Sequence, residues 1–194
     1  MTLIFPGSVP SQLPPVAAAR STITDPAFIV EIISLVISLG AGFPGIVLKI
    51  VFPNLKITLV DSLNKRINFL NDVIEELNLK DIKAVHSRIE DYSFQHTEEY
   101  DVVTARAVAP INILLELGVR LVKVGKYFVA MKGNIENEPN YLNCIDKLDL
   151  NETDKIIFSL PIENSTRTLI KFEKKCSTNR LFPRKYSDIK KRPL

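Results

Sequence analysis

The 194-residue chain has no tryptophan, only two cysteines, two histidines and seven glycines. Cys144 and Cys176 are too few for a disulfide framework, and with His86 and His96 they offer no metal-ligand spacing. Reduced, structural thiols and no metal site are expected. Long apolar runs are also missing: the longest, Ala27 to Leu39, is interrupted by Glu31 and falls short of the ~20 residues that a membrane helix needs. The first residues lack the basic cluster that opens a secretory signal, so a cytoplasmic protein with no membrane segment is expected. Basic residues are scarce at the start, where Arg20 is the only Lys or Arg among the first 48 residues. They crowd the end instead. Lys171 to Leu194 carry nine against two acids, a local charge of +7 in a chain whose net charge is +3. Such a tail suits a polyanion, because each cation that neutralises a phosphate releases condensed counterions; a solvated charged end is the competing account.

What is present is an ordinary globular balance, 46% apolar and 24% charged residues, enough for one good core. Residues 1–26 hold five of the twelve prolines, which neither continue a helix nor donate to a sheet, so an irregular, poorly ordered segment is expected there. Residues 27–194 would form the single domain. From Ile32 onward short apolar runs alternate with amphipathic segments, the pattern of βαβ units. Strands are expected at 32–39, 56–60, 82–85, 101–105 and 126–131, and helices at 45–52, 63–77 and 111–122. In the second helix Ile67, Leu70, Ile74 and Leu77 share one face, and Asp61 or Ser62 is placed to cap it. The runs 155–160 and 167–172 read as an antiparallel hairpin. An α/β fold with a mostly parallel sheet, closed by that hairpin, is the expected architecture.

Gly40, Gly42 and Gly45 satisfy G-x-G-x-x-G where an apolar strand turns into a helix, and Asp61 lies roughly 20 residues on, at the carboxyl end of the next strand. There an acid can accept hydrogen bonds from ribose hydroxyls; tight turning and a helix cap are the structural alternative. Glu90, after the third strand, either meets an adenine edge or is a surface acid. Arg106 sits between small residues, its fork open to a carboxylate or phosphate, or else to an internal ion pair.

Five segments carry a family resemblance: Gly40-Ala-Gly-Phe-Pro-Gly-Ile-Val-Leu-Lys-Ile, Thr58-Leu-Val-Asp-Ser-Leu-Asn-Lys-Arg, Thr104-Ala-Arg-Ala-Val-Ala, Met131-Lys-Gly and Phe182-Pro-Arg-Lys-Tyr-Ser-Asp-Ile-Lys-Lys-Arg-Pro-Leu. With them, in this order, the chain resembles the RsmG family, also called GidB, from about Leu39 to Leu194. The resemblance implies a Rossmann-like class I methyltransferase that uses S-adenosyl-L-methionine to methylate guanine N7 in small-subunit (16S) ribosomal RNA. By the same resemblance Ser38, Gly40, Gly42 and Phe43 would line the methionine and adenosine moieties. Asp61 would meet the ribose, Ile89 and Glu90 the adenine, and Arg106 the cofactor-side pocket. Lys132 and the tail residues Arg180, Arg184, Lys185, Lys190 and Lys191 would face RNA. No catalytic side chain is assigned, because N7 already carries a lone pair. A monomer is expected.

Two departures from the family stand out. Its first strand usually ends Asp-x-Gly-x-Gly, whereas these places read Val36-Ile-Ser38-Leu-Gly40, losing an acid and adding a Cβ, so impaired cofactor binding is expected. The family's longer helical N-terminal region has no counterpart in residues 1–35, as a truncation or displaced reading frame would produce. An inactive relative that only binds RNA therefore stays open, as does an NAD-dependent oxidoreductase, since the glycines and Asp61 suit NAD equally.

Overall fold

A computed structural model describes residues 35–39, 42–106 and 109–194. The expectations for residues 1–26, for Gly40 and for the first three residues of the first strand lie outside the described residues. The elements follow in the order β1 (Leu35–Leu39), α1 (Gly45–Val51), β2 (Lys56–Asp61), α2 (Asn64–Glu76), β3 (Ile82–His86), α3 (Ile89–Gln95), β4 (Tyr100–Arg106) and α4 (Ile111–Gly118). A 3₁₀ turn (Val119–Leu121) leads into β5 (Val122–Lys132), then α5 (Leu142–Lys147), β6 (Leu150–Ser159), β7 (Thr166–Lys174) and α6 (Tyr186–Lys191).

The seven strands form one sheet in the order β3-β2-β1-β4-β5-β7-β6. The first five are parallel, and the β6–β7 hairpin adds antiparallel strands, with β7 paired to β5. The expected parallel sheet closed by a hairpin is thus observed, and β1 and β4 are neighbours at the point where the strand order reverses. In open α/β sheets the crevice at the carboxyl ends of such strands is where ligands bind.

Alternation along the strands explains the layers. Ile37 and Leu39 of β1 join Val103, Phe128 and α4 in the larger core, whereas Val36 turns to the other face with Leu55, Ile57, Leu59, Ile67 and Leu70. Each such fully buried Leu, Ile or Phe contributes roughly 1.5–3 kcal/mol through removal of apolar surface from water. Gly45 is needed where α1 meets the sheet: a Cβ there would collide with Leu59 Cδ2 and lie 3.0 Å from Ser38 Cβ. Gly42 adopts φ +84°, a left-handed conformation that glycine takes without penalty, and a Cβ on it would strike Leu70. Lys49 closes α1, its buried Nζ donating to the carbonyls of Pro53 and Leu55, each at 2.6 Å. Desolvation lowers the pKa of that ammonium.

Three sequence expectations change. The helix expected at 111–122 ends at Gly118, and Val122 already belongs to β5. All eight residues of α4 are buried, so its apolar run continues through the turn without an amphipathic edge to mark the end. The expected cap of α2 is also different: Leu63 is the N-cap and makes no side-chain capping bond, while Asp61 Oδ1 accepts from the Leu63 N–H at 2.8 Å, one residue ahead of the helix. Leu77, expected on the buried face of that helix, is instead its exposed C-cap residue. Both cysteines are free thiols; Cys144 is buried, with burial pushing its thiol up to about 12, whereas Cys176 is exposed.

Candidate functional site

A cleft of about 650 Å³ opens at the carboxyl ends of the parallel strands. Leu39 ends β1 at its floor, and Val60, Asp61 and Ser62 come from the end of β2. Ser87 and Arg88 follow β3, and Ile89 and Glu90 open α3. Arg106 ends β4, Phe43 projects from the glycine loop, and Leu114, Leu117 and Tyr186 close the remaining side from α4 and α6. The parallel topology is what brings these residues together, since every strand ends at the same edge.

Asp61 is the most enclosed acid of the cleft, only 6% exposed. One of its oxygens accepts the Leu63 N–H, and the other accepts from Arg66 Nη1 at 3.1 Å. Each carboxylate oxygen has a second lone pair, so the group retains acceptor capacity while being held in one orientation. Arg66 is itself half-exposed at the cleft wall, a cation beside the acid. Glu90 lies 3.8 Å from Arg88, its side chain 17% exposed. The Arg106 guanidinium stands over the Phe43 ring, 5.7 Å from the centroid, and both residues line the cleft.

Five residues expected at a cofactor site, Phe43, Asp61, Ile89, Glu90 and Arg106, therefore share one cavity. Ser38 and Gly42 do not line it. The Ser38 side chain is buried against Gly45 under α1, its hydroxyl without a partner, and Gly42 packs on Leu70. Val36 is in the apolar core with Leu55 and Ile57, so among the described residues neither position of departure from the family's strand end lines the cleft.

The residues expected to face RNA divide in two. Arg180, Lys185, Lys190 and Lys191 are exposed. Lys132 and Arg184 have internal partners: Lys132 Nζ is ion-paired with Glu138 and donates to the Ala109 carbonyl. Arg184 grips the fully buried Glu116 through Nε and Nη2, at 2.7 and 2.6 Å, which raises the pKa of its guanidinium. A second buried network supports the tail. Lys174 Nζ donates to Glu98 Oε1 at 3.0 Å and to the carbonyls of Val119 and Val122, and Glu98 also accepts from the Thr178 N–H.

Sequence reasoning missed Arg66, Leu114, Leu117 and Tyr186 as parts of the cleft. Arg66 was open to discovery, since the first turn of α2 follows Asp61 directly. Tyr186 offered no such signal, because its place depends on how the tail docks. Among the described residues no group of three or more His, Cys, Asp or Glu is placed to hold a metal, and no helix is long and apolar enough to cross a membrane.

Comparison with known proteins matches these features to a family. Solved structures similar to the fold include a putative transferase from Pyrococcus horikoshii, with a TM-score of 0.61 at 12% identity over 77% of this chain and 61% of that one. A 16S rRNA (adenine(1408)-N(1))-methyltransferase with cosubstrate SAM from Catenulisporales acidiphilia gives a TM-score of 0.59 at 12% identity, covering 75% of this chain and 87% of the other. The ribosomal RNA small subunit methyltransferase G of Bacillus thuringiensis (strain Al Hakam) is 45% identical over 159 residues, 80% of this chain and 66% of the relative. The chain thus spans just under two thirds of the length of the curated relatives it matches. The family model for rRNA small subunit methyltransferase G matches residues 31–152, which takes in β1 to β5 and every strand end around the cleft, and on that match the chain belongs to the GidB family.

Proposed function

We propose that this chain is an S-adenosylmethionine-dependent methyltransferase acting on guanine N7 of small-subunit ribosomal RNA, as one methyltransferase domain and a monomer of the cytoplasm. The observation that carries the reading is the convergence of Asp61, Ile89, Glu90, Phe43 and Arg106 on one cleft in a chain of this family. The residues fit such a cofactor. The volume is inside the ~300–1,000 Å³ of small-ligand sites, an oriented carboxylate stands at the end of β2, and apolar walls lie beside it.

Asp61 would hold the ribose hydroxyls through its remaining lone pairs, and Ile89 and Leu117 would flank the purine, with Glu90 at its edge. Phe43 and Arg106 would border the methionine end. The cofactor supplies an electrophilic methyl group. Guanine N7 presents its lone pair without losing a proton, so the protein needs no general base. Its contribution is alignment, which can supply up to ~7 to 11 kcal/mol of a barrier. The exposed Arg180, Lys185, Lys190 and Lys191 would carry phosphate contacts. An RNA-binding relative without methyl transfer is the second reading, favoured only by the loss of the strand-end acid to Val36. Transfer of a labelled methyl group from S-adenosylmethionine to small-subunit particles or their RNA tests the proposal. Label at a guanine N7 is the expected result; folded protein that binds the RNA but transfers nothing would leave only the second reading.

A further inference from the structure

Resting on that cofactor reading, we propose that the ring of Tyr186 is the outer wall of the purine end of the cleft, making the C-terminal segment part of the cofactor site as well as its basic flank. Tyr186 lines the cleft and is 40% exposed. Ile189, one helical turn on and therefore on the same face of α6, is fully buried against Ile113 and Leu117, and Ile89 packs on the same cluster. Ile89 and Leu117 also line the cleft, so the face of α6 that carries Tyr186 and Ile189 stands beside Ile89 and Leu117, and beside Glu90, the chain neighbour of Ile89.

The ring is held there from both sides. Ahead of it, Arg184 is locked in its two-point pair with Glu116 of α4, and Arg120 donates to the Phe182 carbonyl at 2.7 Å. After it, Asn112 of α4 donates to the Leu194 carbonyl at 3.2 Å. The tail is therefore fastened to α4, the same helix that supplies Leu114 and Leu117 to the cleft. A tyrosine ring held in place offers a flat apolar face at little entropic cost, and a purine presents a π-face to match it. By reciprocity of linked equilibria, any RNA contact that moves α6 changes cofactor affinity, and cofactor binding changes RNA affinity by the same factor.

The test is titration of wild type, Tyr186→Ala and Tyr186→Phe with S-adenosylhomocysteine and with adenosine, beside thermal unfolding of each. Tyr186→Ala should weaken both ligands about tenfold or more, the loss expected for one base-stacking aromatic, while Tyr186→Phe stays near wild type for both. Equal binding by wild type and a folded Tyr186→Ala overturns the inference while leaving the cofactor reading intact. Loss for S-adenosylhomocysteine alone, with adenosine unaffected, overturns it as well, since the ring would then not face the purine. If folded wild type bound neither ligand, the cofactor reading itself would fall and the wall with it.

Discussion

Two carboxylates do different work at the level of single residues. Asp61 is oriented by Leu63 and Arg66 yet faces the cleft, so Asp61→Ala should weaken S-adenosylhomocysteine by about 1.5–3 kcal/mol, the range for hydrogen bonds to a charged group, with little change in thermal stability. Calorimetric titration and a melting curve check the two halves of that statement. Glu98 is structural. Burial alone would raise its pKa, but the hydrogen bond and charge of Lys174, with the Thr178 and Ser177 donors, outweigh burial and lower it. Folding therefore favours the ionised form. Its stabilisation is complete above the ordinary carboxylate range and is lost as pH falls through the lowered folded value. Unfolding by urea at a series of acidic pH values should show that loss in wild type, and Glu98→Gln should remove this contribution to the slope. An identical slope in both would assign the acid sensitivity elsewhere.

The Arg184–Glu116 pair decides how the tail meets the rest of the protein at the level of elements. Glu116 is fully buried in α4 while the Arg184 side chain is 28% exposed. Removing the cation strands an uncompensated carboxylate, so Arg184→Ala should cost about 3 kcal/mol, the low end for a broken buried pair. A lower urea midpoint with reduced ordering of the C-terminal segment in hydrogen exchange is the expected outcome. Legibility follows the same physics. The β strands were readable because their runs are short, apolar and spaced by turns, and α2 because Ile67 and Leu70 repeat at helical spacing. The seven-residue α3 was not, since Ile89-Glu-Asp-Tyr-Ser-Phe-Gln reads as a charged loop until Tyr92 is seen in the core. Asp61, Glu90 and Arg106 could be named from position at strand ends. Tyr186 and Leu117 could not, because proximity between residues 69 positions apart is set by tail docking and leaves no local pattern.

At the scale of the molecule, the exposed cations of the C-terminal segment adjoin the proposed cofactor cleft. The exposed cations Lys190 and Lys191 lie on the helix that carries Tyr186, but outside the buried packing that fixes it. Lys190→Glu with Lys191→Glu should weaken small-subunit RNA binding and flatten its dependence on salt, by roughly 0.7 to 0.9 in log–log slope for each phosphate that is no longer neutralised. Adenosine affinity measured without RNA should not change. Filter binding across a salt series reads the first effect and calorimetry the second. The internally paired Lys132 and Arg184 are expected to act through folding, so their variants belong with stability and not with the salt slope. The arrangement also bears on the altered strand end, because Val36 and Ser38 pack under α1 and the cleft keeps its acid and apolar walls. Cofactor binding should therefore survive those changes. The most direct measurement is calorimetric titration of the chain with S-adenosylmethionine or S-adenosylhomocysteine, with NADH as the control ligand. Saturable one-to-one binding of the first two, weakened by Asp61→Ala and not matched by NADH, is the predicted result. No binding by a folded chain, or binding of NADH in their place, would contradict it.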